Sequence, residues 1–152
     1  VSSNILSSSG DSISFNLSNE ITRNTLNSFL RPTNGNYLSF VNFIETPSSS
    51  SNGFIKNLII GKKYYQINDN IISIQAKAGN IFSIDNNEIL SDDKFSLGGR
   101  WLRGFDNFGA GPRNSRNSYV GGNNLLVAKL DFSKPISLNE KNPIYLNIFN
   151  RF

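Results

Sequence analysis

The chain has 152 residues, 38% hydrophobic and 17% charged, with a formal net charge of +4 and no Cys, His or Met. That length suits one domain of ordinary size or a piece of a larger one. The missing residue types exclude a His-assisted serine triad, a cysteine nucleophile, a zinc finger, the usual haem ligands and any disulfide. With Val1 first and no Met, the sequence is expected to be a processed chain or an excerpt. No run of about 18 apolar residues exists, so no transmembrane helix can form, and no signal peptide is visible. A charge of +4 spread over 152 residues is thin beside a true basic face, so no nucleic-acid partner is expected.

Period two dominates the chain and helix period is nearly absent. A first strand is predicted near 12–22, where Ile13, Phe15, Leu17 and Ile21 alternate with Ser14, Asn16, Ser18, Glu20 and Thr22. Arg31-Pro32-Thr33-Asn34-Gly35 then supplies turn chemistry before a second strand near 36–45. A Ser-rich loop leads to a third strand near 54–66, with Phe54, Leu58, Ile60 and Tyr64 in one register and Ile55, Ile59 and Tyr65 in the other. The fourth, near 71–82, alternates Ile72, Ile74, Ala76 and Ala78 with Ser73, Gln75, Lys77 and Gly79. A long Gly-rich loop is expected over 83–122. The fifth strand, near 124–134, sets Leu126, Ala128, Leu130 and Phe132 against Val127, Lys129 and Asp131, and a turn is expected from Pro135. The sixth, near 143–152, sets Ile144, Leu146, Ile148 and Phe152 against Tyr145, Asn147, Phe149 and Arg151.

Strands of roughly 10–12 residues are long for a soluble sandwich, where five or six is typical. At about 3.3 Å per residue and a tilt near 45°, eleven residues rise roughly 25 Å, the height of the apolar band on an outer-membrane barrel. Alternate connections fall on opposite sides of such a sheet. Tyr37, Tyr64, Tyr65 and Tyr145 then lie near one side, as an interfacial girdle would. A charge on the lipid face at mid-membrane costs about 2–4 kcal/mol. Lys77, Lys129 and Asp131 are therefore expected to face a lumen, with Leu126, Ala128, Leu130 and Phe132 against lipid. The same alternation would suit a soluble β-sandwich whose apolar face is its core. Strand length and the one-sided tyrosines favour the membrane.

The long loop mixes Arg and aromatic residues with Gly, which points to a packed loop of functional weight. Arg103-Gly104-Phe105 has a clear physical content. Arg offers five donors in a rigid fork, Gly permits backbone angles closed to other residues, and Phe supplies a packing anchor. Asp131, on a neighbouring lumen-facing position, is the expected partner of Arg103. Three weaker readings fail on their own residues. Asp106 and Asn107 break an RNA-recognition strand, Asn114 breaks a dinucleotide fingerprint that Gly109-Ala110-Gly111 would open, and Asp85 with Asp92-Asp93 reads as solvated acid.

A longer pattern joins these pieces. Gly98-Gly99, Leu102-Arg103-Gly104-Phe105, Gly111-Pro112-Arg113 and Gly121-Gly122-Asn123, followed by a strand ending Leu130-Asp131-Phe132 and by Pro135, resembles the Omp85 superfamily, closest to its outer-membrane protein assembly factors. The resemblance covers essentially the whole chain, and 98–123 is its specific part. It implies an all-β fold: an antiparallel transmembrane barrel of about sixteen strands, of which this chain holds about six, with 83–122 folded back into the lumen. It further implies POTRA domains upstream and truncation after Phe152. Arg103, Gly104 and Phe105 map onto the family's loop motif, and Asp131 onto its strand acid. A further carboxylate expected one strand later is replaced by Asn147, Asn150 and Arg151.

The activity implied is not enzymatic: insertion of unfolded outer-membrane protein clients into the outer membrane of a Gram-negative bacterium, beside lipid and accessory lipoproteins. No cofactor, metal or catalytic residue is expected. A TamA-like assembly factor or a two-partner secretion pore shares this fold, and a soluble adhesin or lectin module remains a distant alternative.

Overall fold

The computed structural model describes residues 15–48, 52–137 and 144–151. They form one six-stranded antiparallel sheet in strict meander order: β1 (Asn16–Asn24), β2 (Gly35–Glu45), β3 (Phe54–Ile67), β4 (Asn70–Ser83), β5 (Asn124–Ser137) and β6 (Ile144–Arg151). The connections of 25–34 and 68–69 lie at one end of the sheet, and β2 ends, β3 begins and the loop of 84–123 leaves and returns at the other. Ile13 and Phe152, placed in strands by the sequence pattern, lie outside the described residues.

Two boundaries differ from expectation for physical reasons. β1 runs on to Asn24, because Asn24 still pairs with Tyr37 across the ladder. β5 continues through Pro135 to Ser137, where a turn was expected. Proline has no N–H to give a ladder, and the register shifts between Pro135 and Ser137, the irregularity at which a strand tolerates it.

Register assigns the two faces. Partners across an antiparallel ladder share a face, so Thr22, Ser39, Ile60, Lys77 and Val127 form one row on one side. Ile21, Phe40, Ile59, Ala78 and Leu126 form the adjacent row on the other. The first face carries Glu20, Lys56, Lys77, Lys129 and Asp131. The second is mostly apolar and open, with polar residues confined to a few rows: Ile21 is 73% exposed and Leu126 79%, whereas Val127, one residue along, is 1% exposed. Leaving each such side chain in water costs about 1.5–3 kcal/mol relative to burial. A predominantly apolar, open face of this extent is a lipid-facing surface.

The buried core lies on the polar face, at the end bearing the long loop. Phe54, Ile81, Leu125 and Val127 from the strands meet Ile89 and Phe95 from the loop, with Phe43, Leu58, Leu97 and Trp101 packed around them. The expected girdle is only partly present. The tyrosines do gather at the short-connection end, but Tyr37 and Tyr64 share the lumen face with Val127, and Tyr65 alone of these three faces lipid.

Candidate functional site in the long loop

The loop of 84–123 is a folded ribbon pinned to the lumen wall. Its base is tied by Asp85, whose carboxylate accepts from Gly53 N–H (3.0 Å), Ser83 Oγ (2.8 Å), Asn87 N–H (3.1 Å) and Asn87 Nδ2 (3.0 Å). These donors stabilise the anion and hold Asp85 well below the usual carboxylate range, the Gly53 amide contributing most. The β2–β3 connection is thereby joined to the start of the loop, and Ile84 N–H adds a bond to Gly53 O (2.9 Å).

Three isolated bridges fold the ribbon: Phe95 with Gly122, Leu97 with Ala110 and Arg113 with Tyr119. Phe95 and Gly122 exchange both backbone hydrogen bonds, at 2.9 and 3.0 Å. Val120 N–H donates to Pro112 O (3.1 Å), and Arg113 caps two carbonyls, those of Asn117 (2.9 Å) and Gly109 (3.2 Å). Gly111 and Gly121 sit where this inner hairpin leaves and rejoins the ribbon. Tyr119 Oη donates to Phe95 O (2.5 Å), and burial pushes its phenol pKa up.

Within that frame, 98–106 forms a smaller closed turn. Trp101 N–H donates to Gly98 O (3.3 Å), Gly99 N–H to Phe105 O (3.0 Å) and Phe105 N–H to Leu102 O (3.3 Å). A Cβ on Gly98 would fall 1.7 Å from Asp106 O, so only glycine lets the two sides of the turn close. Leu102 to Phe105 is a β-turn with Arg103 and Gly104 at its centre, and Gly104 has φ +91°, the value a type II turn requires at its third residue. Glycine there places Arg103 on the corner, projecting from the ribbon.

Arg103 reaches a cavity of about 520 Å³ lined also by Tyr64, Ser73, Gln75, Asp131 and, from the β1–β2 connection, Arg31. The loop leaves the sheet at one end, and Ile71 and Ser133, close to the opposite end, line the same cavity. The loop therefore runs back along the lumen wall, and the expected pair of Arg103 and Asp131 is brought to one site. Asp131 accepts from Ser73 Oγ (3.3 Å) and pairs with the ammonium of Lys129 (3.5 Å). Gln75 Nε2 donates to Tyr64 Oη (3.2 Å). Ser73 and Gln75 are 5% and 8% exposed, so Asp131, which is 23% exposed, stands at the cavity wall beside buried polar partners.

Trp101 is held by two lysines of the wall. The ammonium groups of Lys77 and Lys129 each lie 5.8 Å from its ring centroid. Lys56 lies 4.8 Å from the Phe95 centroid and donates to Asp93 O (2.5 Å).

The anchoring role expected of Phe105 is taken by other residues. Phe105 is 51% exposed, because the turn that presents Arg103 to the wall turns Phe105 away from it. Phe95, Leu97 and Trp101 do the packing. Sequence reasoning passed over Phe95 and Trp101 as anchors, and over Ser73, Gln75 and Tyr64 around the acid. The latter were signalled: Ser73 and Gln75 fall in the inward alternation of β4, on the face shared with Asp131.

A family model described as the Omp85 superfamily domain matches residues 2–150. The chain is also 32% identical over 146 residues to a SAM50-like protein of Schizosaccharomyces pombe, an alignment covering 85% of this chain and 30% of that protein. The chain thus spans less than a third of that relative's length. The lipid-facing meander, the inward loop with its Arg103 turn and these matches agree: the chain belongs to the Omp85 superfamily.

Proposed function

We propose that this chain is a wall segment, with the lumen brace attached, of a BamA-like insertase that folds unfolded β-barrel clients into an outer membrane. The observation that carries the reading is the loop of 84–123, folded along the lumen wall so that Arg103 enters the cavity of Asp131. An insertase must open a seam and offer unpaired strand edges to a client, and such an edge is a liability unless the rest of the wall keeps its shape. A loop fixed to the wall by Asp85, Phe95, Trp101 and Arg103 stiffens this part of the barrel while the seam, formed by other strands of the family barrel, opens. The work is non-enzymatic: no bond is made or broken, and binding and strand pairing supply the driving force.

The setting is an outer membrane, that of a Gram-negative bacterium on the resemblance to BamA, or that of a eukaryotic organelle on the fission-yeast relative. Accessory lipoproteins belong to the first setting alone, so fractionation of the source cell separates the two. A TamA-like factor or a secretion pore would use the same wall, and the number of POTRA repeats preceding it distinguishes them.

The test is reconstitution of the full-length protein in proteoliposomes. A urea-unfolded outer-membrane β-barrel client is added and its folding followed by heat-modifiable gel mobility. The insertase reading expects faster folding than in empty liposomes and a reduced rate for Arg103→Ala. Equal rates with and without the protein would overturn it, and export of an unfolded passenger without barrel formation would favour the secretion pore.

A further inference from the structure

The lipid face carries three charges among the described strand residues, and all are cations: Arg23, Lys63 and Lys134. All three are exposed, and among the described strand residues no acidic residue shares that face. Their positions in the register place them at one depth. Arg23 lies in the row of Leu38, Gly61 and Ala76, Lys63 in the row of Ile74, and Lys134 one residue past Ser133, the partner of Ile71. Measured along β4, the cations therefore descend from 76 to 74 to 70. Six residues along a strand is about 20 Å, and the four strand spacings from β1 to β5 are about 19 Å. In a barrel tilted about 45°, equal steps along and across the strands cancel in height.

The sheet's own edge confirms the sense of the tilt. β1 ends at Asn24, in the row of Tyr37, Lys62 and Gln75, whereas β3 ends at Ile67, in the row of Asn70. The short-connection edge steps down in the same direction as the cations, so they form a belt parallel to that edge. Lys63 adds an independent sign. Its ammonium lies 4.7 Å from the ring centroid of Tyr65, two residues nearer the edge, which is the direction in which a lysine rooted in hydrocarbon reaches for the headgroups.

We propose that this belt binds the phosphate of anionic phospholipid headgroups in the leaflet at the short-connection end, and so selects the lipid around this wall. Charge complementarity commits the belt to that occupant. Three cations spaced along the interface, with an apolar face above them and a tyrosine at headgroup level, match a row of lipid phosphates that carry net charge, whereas the phosphate of a zwitterionic headgroup is already offset by its own ammonium. The proposal rests on family membership for the bilayer setting and requires no insertase activity, so the two can fail separately.

The experiment uses the full-length protein in phosphatidylcholine vesicles doped with spin-labelled phosphatidylglycerol or spin-labelled phosphatidylcholine, and reads the motionally restricted fraction of each label. The expected result is enrichment of phosphatidylglycerol by several-fold at low salt, up to about fivefold per cation, falling towards unity in Arg23→Gln/Lys63→Gln/Lys134→Gln. The variant Arg23→Lys/Lys63→Arg/Lys134→Arg should keep the enrichment. Heat-modifiable mobility verifies that each barrel is folded. If the triple Gln variant does not fold, salt decides instead, since exposed pairs are screened at about 1 M and the wild-type enrichment must then collapse. Equal fractions in the wild type, enrichment that survives the Gln substitutions or high salt, or its loss on adding millimolar inorganic phosphate would each overturn the proposal, the last by assigning the belt to free phosphate.

Discussion

Gly79 and Phe95 fit as notch and knob: a Cβ on Gly79 would fall 2.6 Å from Phe95 Cζ and 2.9 Å from Asn57 O. β4 thus lacks a side chain at the place where the loop sinks its most buried aromatic ring, 6% exposed. The carbonyl of Asn57 belongs to the neighbouring strand and cannot move aside, so any side chain at 79 must displace the ring. Gly79→Val should undock the loop at a cost of about 1–3 kcal/mol, as overpacked sites do. Phe95→Ala should do so at about 3–5 kcal/mol through the lost burial. Both should raise the rate of limited proteolysis between 84 and 123 in the full-length protein with barrel mobility on gels unchanged. Loop nicking at the wild-type rate in both variants would show that the ring is not what holds the loop.

Asp85 gives the loop base a dependence on acid. Its carboxyl is held below the ordinary value of 3.8 by the donors around it. A group whose pKa is depressed on folding stabilises the fold above its unfolded value and loses that contribution as pH falls through the folded one. The tie between Gly53 and the loop base should therefore be at full strength at neutral pH and weaken only below about pH 4. Hydrogen exchange of the Gly53 and Asn87 amides across this range tests it. Protection should fall in acid for the wild type and be low at every pH for Asp85→Ala; protection unchanged by the substitution would remove Asp85 from the tie.

Sequence alone made the strands legible because a wall between lipid and water forces every second residue to change polarity. The limit of that signal is visible in β5, where Leu126 and Val127 are equally apolar but 79% and 1% exposed. Only the cost of Lys129 and Asp131 in hydrocarbon identified the lumen side. The tyrosines showed which end they occupy but not which face, since Tyr64 and Tyr65 are adjacent and necessarily point opposite ways. The path of the loop was less legible still. Its anchors follow no period, and Phe95 is fixed by an absence, the missing side chain of Gly79, that carries no hydrophobic signature. The turn that exposes Arg103 could be read from Gly104, whereas the outward rotation of Phe105 follows from hydrogen bonds between residues that sequence does not show to be close.

Arg103 and Asp131 share a cavity in which Asp131 already has Lys129 and Ser73. If Arg103 is held there by the same carboxylate, a double-mutant cycle should show it. Arg103→Ala and Asp131→Asn should each increase loop nicking, and the double variant should exceed either single one by little, giving a coupling of about 0.5–3 kcal/mol. Lys129→Gln serves as the comparison: it removes the second cation beside Asp131 together with one of the two ammonium groups over Trp101, and its effect should add to that of Arg103→Ala. Strictly additive effects of Arg103→Ala and Asp131→Asn would mean that the loop arginine is held by other groups.

An asparagine row crosses the lipid face: Asn19, Asn42, Asn57, Asn80 and Asn124 are successive partners across five strands. At its centre Asn42 Nδ2 donates to Asn57 Oδ1 (2.7 Å), and Asn57 Nδ2 donates to Asn80 Oδ1 (3.2 Å). At this centre the amides of Asn42, Asn57 and Asn80 satisfy one another against hydrocarbon, and Asn57 is the middle link. Asn57→Leu should leave the Asn42 donor and the Asn80 acceptor without that partner, destabilising the barrel by about 1–3 kcal/mol where water is excluded. Replacing Asn42, Asn57 and Asn80 together by Leu removes every polar group of the central ladder and should recover the loss or exceed it, since leucine suits lipid. Urea midpoints of the full-length protein in bilayers decide between the two: a triple variant less stable than Asn57→Leu would mean that the row holds a partner or water rather than itself.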